Sequence, residues 1–349
     1  MALVYIDGCD HYNIADIGKK CTYTAPAYST ASMDTGRLGS GQSYKAVGTA
    51  AAASNTGTLS HVFPTGGLTD GGMGFAIKLS SIPPDGYFYN EIAGVYNAAT
   101  GTQLTLRLAA DGTLAVYRGG GGGTELGSGG SLVGNAWNYV EWKWHLAGTT
   151  NGTATIQING IVTATITGVN TLAGGTGFTS AWVGGGQYLY TRTVWFDDIY
   201  MFDSTAGVTD LLGDITVTTK LVTANGTTNN GTASAGANFE CVDEALADTA
   251  DYVTIADVND IELYATEDVG TGTVIHAVQV TAFAQRTEDG SAALAAEIRQ
   301  GGANYAHPTP QAVTVNYTFK PFIYENDALD DPWTDTVFNA VEFGVIKTE

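Results

Sequence analysis

Two adjacent carboxylates, Asp197 and Asp198, sit in the apolar run VWFDDIYMFD and are the first residues here with the makings of chemistry. Two carboxyl groups can divide acid and base work across a sugar bond when they face each other about 5–10 Å apart. Neighbours on a regular strand point to opposite faces, which excludes that pairing. The alternation predicts one carboxylate hydrogen-bonded inside a sandwich and the other facing solvent. Calcium is the competing reading, but a hard cation wants more oxygen ligands than these two supply. A second candidate is His11, close to Asp7, Asp10 and Cys9 in IDGCDHY. This cluster lacks a third imidazole or thiolate at zinc spacing, so it reads as a loop hydrogen-bonded to the first strand. His61, His145, His276 and His307 stand singly.

Glu141 lies in YVEWKWH, with Lys143 rather than an acid two residues on. The Glu-x-Asp-x-Glu strand pattern of sandwich-fold glycosidases is therefore absent, and Glu141 with Lys143 reads as a surface ion-pair element. Tyr87, Tyr89 and Tyr96 in GYFYNEIAGVYN, and Tyr188 and Tyr190 in GGGQYLYTR, could stack on sugar rings. Aromatic pairs on strands more often build cores or subunit contacts, so they are not assigned as a site. The glycine run Gly119–Gly123 has no Gly-Lys-Ser/Thr ending and no helix signal after it, which makes it a loop rather than a phosphate cradle. No catalytic, cofactor-binding or metal-ligating residue is assigned, and no cofactor is expected.

The elements that hold these residues are strands. Val140, Trp142, Trp144 and Leu146 alternate with Tyr139, Glu141, Lys143 and His145, which predicts a strand with its tryptophans in the core. Two β-branched runs flank Asn159-Gly160, the dipeptide of a type I′ hairpin. Leu104, Leu106 and Leu108 alternate up to Asp111-Gly112, and Leu114 and Val116 alternate back, a second hairpin. Met73, Phe75, Ile77 and Leu79 form another strand, closed by the turn residues Pro83–Gly86. Ala50–Thr56 reads as a small-residue loop. Further on, ITVTTKLVT and the alternation Val274, Val278, Val280, Ala282 predict strands, and Asn225–Gly236 a polar loop. Ala292–Arg299 has helix-favouring residues but is bracketed by glycines, which favours a strand. Trp333 with Val337, Phe338 and Val341 predicts one short docked helix before a last strand, Phe343–Lys347.

Short strands at regular spacing with little helical periodicity predict an all-β protein. At 349 residues the chain is too long for one ordinary sandwich. We expect two β-sandwich, jelly-roll-like domains, 1–212 and an acidic module, 213–349. Residues 1–212 carry 14 acidic and 9 basic residues, and 213–349 carry 21 and 5. A net charge of −21 without a Lys/Arg cluster disfavours nucleic acid as a partner. No run approaches the ~20 apolar residues of a membrane span, and the N-terminus lacks the basic and apolar regions of a signal peptide. Synthesis in a cytosol is therefore expected, with Cys9, Cys21 and Cys241 reduced.

The ordered succession IDGCDHY, GSGQSYK, LRLAADGTLAVYRG, GNAWNYVEWK, IQINGIV, WFDDIYMFD and LLGDITV resembles the concanavalin A/laminin-G-like jelly rolls that open a group of tailed-bacteriophage virion proteins. VDEALADTADYV, IHAVQVTAFAQR and WTDTVFNAVEFGV follow in the order of that group's C-terminal module, so the resemblance covers nearly the whole chain. Two departures are Cys9, where an aromatic is commoner, and a 225–236 loop without the usual Pro/Asp-Gly-Trp pattern. The resemblance implies a non-enzymatic structural protein of the virion, either a tail or collar fibre or a capsid decoration. It implies contacts with other virion proteins, homo-oligomerisation (a trimer among the possibilities) and host adhesion. Direct binding of a host-surface glycan is the alternative, and polysaccharide degradation a third reading.

Overall fold

The computed structural model describes residues 2–26, 29–48, 57–63, 66–82, 90–184, 192–203 and 210–349. The turn at Pro83–Gly86, the loop at Ala50–Thr56 and the tyrosines 87, 89, 188 and 190 lie outside these residues. The chain divides into two compact units, Met1–Thr218 and Thr219–Glu349. Both are all-β, and the fold is of the β-sandwich, jelly-roll type. Residues 213–218 stay with the first unit, although the acidic composition begins with them. Gly213 N–H donates to Glu141 and Val217 N–H to Asp198, and Arg37 reaches the Ile215 carbonyl.

The first unit opens with β1 (Ala2–Asp7), the single-turn helix α1 (Ile17–Lys20), β2 (Thr22–Thr24), β3 (Ser29–Thr35), β4 (Gln42–Gly48) and β5 (Thr58–Val62). It continues through β6 (Asp70–Leu79), β7 (Glu91–Asn97), β8 (Gly101–Leu108), β9 (Thr113–Arg118) and β10 (Thr124–Ser131). It closes with β11 (Trp137–His145), β12 (Gly152–Ile158), β13 (Ile161–Val169), β14 (Ser180–Gly184) and β15 (Thr193–Asp203). One sheet runs β13-β12-β11-β6-β15-β4-β3, with β1 added on β15, and the other runs β10-β9-β8-β7-β14-β5-β2. Every pairing in the two is antiparallel, so the side chains of each strand alternate between the shared core and an outer face.

Between the sheets lie Phe75, Ile77, Val140, Trp142, Trp144, Phe178 and Phe196, all nearly inaccessible to solvent. Trp144 stands edge-on to Phe178 at 5.6 Å, and Phe178 edge-on to Phe63 at 5.0 Å, the T-shaped geometry that aromatic quadrupoles favour. The Asn159-Gly160 turn has φ of +49° and +76°, as a type I′ turn requires, and the Asp111-Gly112 turn joins β8 to β9. The run Gly119–Gly123 is the connection between β9 and β10.

In the second unit the strands Val222–Asn229, Ile261–Thr266, Glu342–Lys347, Ala293–Gln300 and Ala303–Ala306 form the main sheet, with Gln311–Ala312 added at its edge. A hairpin of Val278–Ala284 and Thr318–Tyr324 accompanies it, and Leu294, Ala296 and Phe322 share a core with Val280 and Tyr324. The small-residue run near Ala293 is a strand because Ala295 and Ala296 are both fully enclosed between neighbours. Trp333 packs with Phe338, Val341 and Phe343 beside the one-turn helix Asp335–Phe338. Two expected strands are shorter than their patterns: 215–221 is irregular, and Val274 is 77% exposed ahead of the strand that starts at Val278. Part of the polar 225–236 segment is strand, since Asn225 and Asn229 pair with Tyr264 and Glu262.

Candidate functional site

Asp197 and Asp198 do not alternate. Asp197 pairs with Ala76 and Tyr200 with Gly74, so β15 carries one more residue than β6 across this step. That is a β-bulge, and Asp198 takes it up at φ +49°, a conformation Asp tolerates better than most residues. Both carboxyls therefore lie on the outer face of the larger sheet, each only 4% exposed, and the expected solvent-facing partner does not exist. They converge on Arg37. Its backbone N–H donates to Asp197 Oδ2 at 2.7 Å, and its Nε meets Asp198 Oδ2 at 3.1 Å. The guanidinium also pairs with Asp214 Oδ1 at 2.8 Å and lies 5.0 Å above the Tyr139 ring. The arrangement locks the β3–β4 turn, the bulge and the 214–217 segment together.

Burial and then the adjacent Asp198 charge push the Asp197 carboxyl up to about 8. Burial raises Asp198 to about 6, against the opposing pull of the Val217 N–H and of Arg37. The two titrate as a pair. Both folded values lie above the unfolded value near 4, so the folded state holds extra protons between the two limits. This contribution to stability is full below about pH 4 and is lost as pH rises through about 6 and then about 8. Urea unfolding of the first unit should therefore lose more than about 1 kcal/mol between about pH 5 and about pH 8. Asp197→Asn should flatten that decline, and an unchanged slope would show that Asp197 is charged throughout.

Glu141, expected beside Lys143 as an ion pair, does something else. It is fully buried and accepts hydrogen bonds from Tyr200 Oη at 2.5 Å, Gln157 Nε2 at 2.6 Å and the Gly213 N–H at 2.9 Å. Burial raises its carboxyl above the usual range, and burial followed by Glu141 raises the Tyr200 phenol. Lys143 instead meets Asp210, and the Leu212 N–H donates to Tyr200 Oη. Residues 210–217 thus cover this part of the sheet, and its carboxylates are spent on structure. Farther along the same face Trp195 lies between Lys78 and Lys45, whose ammonium groups sit 4.8 and 5.7 Å from the ring.

In the IDGCDHY segment Asp7 accepts from Tyr5 Oη, Tyr12 Oη and the Cys9 N–H at 2.6, 2.9 and 2.9 Å. Cys9 holds a φ of +60° and is wholly buried, which pushes its thiol up. Asp10 accepts from the Gln42 N–H at 2.6 Å, and burial drives His11 down to about 3. All three cysteines are free thiols. Among the described residues, no group of three or more His, Cys, Asp or Glu side chains is placed to hold a metal ion.

The outer face of the seven-stranded sheet is different. Val95, Ala93, Ala181, Val183, Leu104 and Leu106 fill the core, which sends Gly94, Tyr96, Trp182, Ser180, Thr105 and Arg107 outward. Trp182 faces Gly94 across the strand pair, and a Cβ at position 94 would collide with the indole Cζ2 and Cε2. The ring therefore lies across Gly94, against the sheet instead of standing off it, and is half-buried. Ser60 is its cross-strand neighbour on the other side, and Tyr96, 39% exposed, is two residues from Gly94. Beyond Gly94 in the same row come Thr105 and Tyr117. Arg107 stacks 4.1 Å from the Tyr117 ring, and pairs with Glu91 at 3.1 Å.

Of the tyrosines singled out in the sequence, Tyr96 is on this face, and the other four lie outside the described residues. Trp182 was not singled out, since SAWVG reads only as a short alternating strand. Its flat pose depends on Gly94, which is distant in sequence.

No sequence-family model and no curated protein matches the chain. Solved structures do. An endo-β-1,4-glucuronan lyase from the fungus Trichoderma reesei is 15% identical with a TM-score of 0.45, covering 59% of this chain and 98% of that one. A PL-14 alginate lyase from Aplysia kurodai is 10% identical with a TM-score of 0.45, covering 58% and 100%. The ligand-binding domain of botulinum neurotoxin serotype D, solved with N-acetylneuraminic acid, is 11% identical with a TM-score of 0.36, covering 53% and 43%. Likenesses this distant assign no activity. The expectation of a non-enzymatic virion structural protein is nevertheless corrected by this finding, because the named neighbours are polysaccharide lyases and toxin binding domains and none is a virion component. Among the described residues no helix is long and apolar enough to cross a membrane.

Proposed function

We propose that the first unit binds a carbohydrate chain along the outer face of its seven-stranded sheet. The observation that carries this reading is Trp182 laid flat over Gly94. A sugar ring offers a face of weakly positive C–H groups, and the electron-rich face of an indole is its natural partner. Specificity then comes from a few polar groups around such an apolar contact, and Ser60, Ser180 and the Tyr96 phenol neighbour this one. The neighbours solved as polysaccharide lyases and as a sialic-acid complex fit the same class of ligand without choosing among its members.

Retardation of the full chain in gels cast with a panel of polysaccharides tests the reading. Saturable retardation is expected from at least one of them, with Trp182→Ala weakening it at least about tenfold, since a central aromatic anchor carries a large share of binding energy. Gly94→Ala should weaken it as well, because its methyl group lifts the indole off the sheet. Retention of binding in both variants, or no retardation by any polysaccharide, would overturn it.

A further inference from the structure

The outer face of the larger sheet is covered at one rung and uncovered at the next. Asp197, Ala76 and Tyr139 pair side by side and are at most 4% exposed, with the Arg37 N–H on Asp197 and its guanidinium over the Tyr139 ring. Two residues along each strand the burial ends. Trp137 pairs with Lys78, Lys78 with Trp195, Trp195 with Lys45, and Lys45 with Ser32. Five outward side chains thus form one row across β11, β6, β15, β4 and β3. The first four are half-buried, and Ser32 is exposed.

Tryptophan and lysine alternate in this row, and each has a different job. Trp195 is a spacer: its Nε1 donates to Asp34 Oδ2 at 2.9 Å, and a lysine ammonium lies against the ring from each neighbouring strand. Lys45 is matched in charge, since Asp34 also meets its ammonium at 2.9 Å. Lys78 is not. Its ammonium sits 4.8 Å from the Trp195 ring, and among the described residues it meets no carboxylate, in a chain of 35 acidic and 14 basic residues. An ammonium held over an indole still has N–H donors aimed away from the ring. One strand spacing farther on, about 5 Å, comes Trp137. Among the described residues neither a cation nor another ring lies over its indole.

We propose that this row is a second saccharide site, selective for acidic sugars: the C–H face of a uronate or sulfated pyranose rests on Trp137 while its anionic group accepts from the Lys78 ammonium. Such a sugar carries its charge at the rim of the ring that stacks, which matches an indole and a cation on adjacent strands. Charge complementarity favours it, because an ammonium without a carboxylate attracts anions. A protein partner fits less well, since its contact needs a broader apolar centre than one row of half-buried indoles flanked by Ser32 and Thr193. The site lies on the sheet opposite Trp182, so it stands whether or not Trp182 holds a sugar.

Calorimetric titration of the full chain carrying Trp182→Ala reads this row alone. The probes are oligoglucuronate, a sulfated galactan oligomer, a neutral cello-oligosaccharide and oligoglutamate. At least one acidic oligosaccharide should bind at least about tenfold more tightly than the neutral one, and its chemistry names the anionic group. Raising the salt should weaken that binding. Adding Lys78→Met should remove the acidic preference, and adding Trp137→Ala should weaken the same oligosaccharide at least about tenfold. The two residues lie on different strands and are both half-exposed, so each variant is an independent reading. Acidic affinity untouched by both substitutions, or oligoglutamate binding as tightly as the best oligosaccharide, overturns the site. So does failure of both acidic oligosaccharides to bind the Trp182→Ala chain, a result that leaves the Trp182 face to be judged on the unsubstituted protein.

Discussion

Replacing Arg37 with methionine is expected to lower the unfolding free energy of the first unit by about 3–5 kcal/mol near neutral pH, because it strands the buried Asp198 carboxylate without its cation. The side chain is 11% exposed and meets Asp198, Asp214 and the Ile215 carbonyl, and its backbone N–H holds Asp197. Methionine keeps much of the volume, so the loss reports charge and hydrogen bonding more than packing. Five of the six tryptophans lie before residue 219, which makes intrinsic fluorescence in urea a suitable probe of this unit. The penalty should shrink toward about pH 5, where protonated Asp198 no longer needs the cation. Lys143→Ala serves as the comparison. Its bond to an Asp210 side chain that is 82% exposed should be worth less than about 1 kcal/mol. If Arg37→Met costs no more than that control, the bulge is held by its backbone and not by the guanidinium.

The second large effect belongs to Glu262, in the second unit. Its carboxylate is 1% exposed and accepts from the Gly231 N–H, from Asn238 Nδ2 at 3.0 Å, and from Asn229 Nδ2 and Tyr264 Oη, each at 3.2 Å. One side chain thereby terminates donors from three places in the polar segment 229–238. Glu262→Leu preserves bulk but leaves these donors without an acceptor, at about 1–3 kcal/mol for each that water does not reach. A total near 4 kcal/mol is expected, concentrated locally. Hydrogen exchange should show it as a loss of protection of about a hundredfold or more in the amides of residues 229–241, with the 342–347 strand less affected. Uniform loss across the second unit would instead mean that this segment is part of its global folding core.

These two networks mark where the sequence was hard to read. Binary alternation was enough for the strand Trp137–His145, for both hairpins and for the core placement of Trp142 and Trp144, because a two-residue period follows from local sterics alone. It failed at Asp197-Asp198 for a reason equally local in size but not in origin. A bulge is an extra residue relative to a partner strand, and β6, which supplies that partner, lies more than a hundred residues earlier. Alternation also placed Glu141 correctly on the outer face and then took outer to mean exposed. The covering segment 210–217 makes that inference false, and no pattern within YVEWKWH announces it. Glu262 was invisible for the same reason, since its donors are scattered over a segment that composition marks only as polar.

Sequence alone determined that this chain is all-β, where its hairpins turn, which residues fill the sandwich core, and that the charge is concentrated beyond residue 212. These are consequences of short-range sterics and of hydrophobic burial, which residue types report directly. Tertiary structure alone decided what the outward-facing residues do. It joined Asp197 and Asp198 on the backbone and side chain of Arg37, closed 210–217 over Glu141, and laid Trp182 across Gly94. Each of these depends on which strands lie side by side and in what register, and register is settled by the packing of whole sheets.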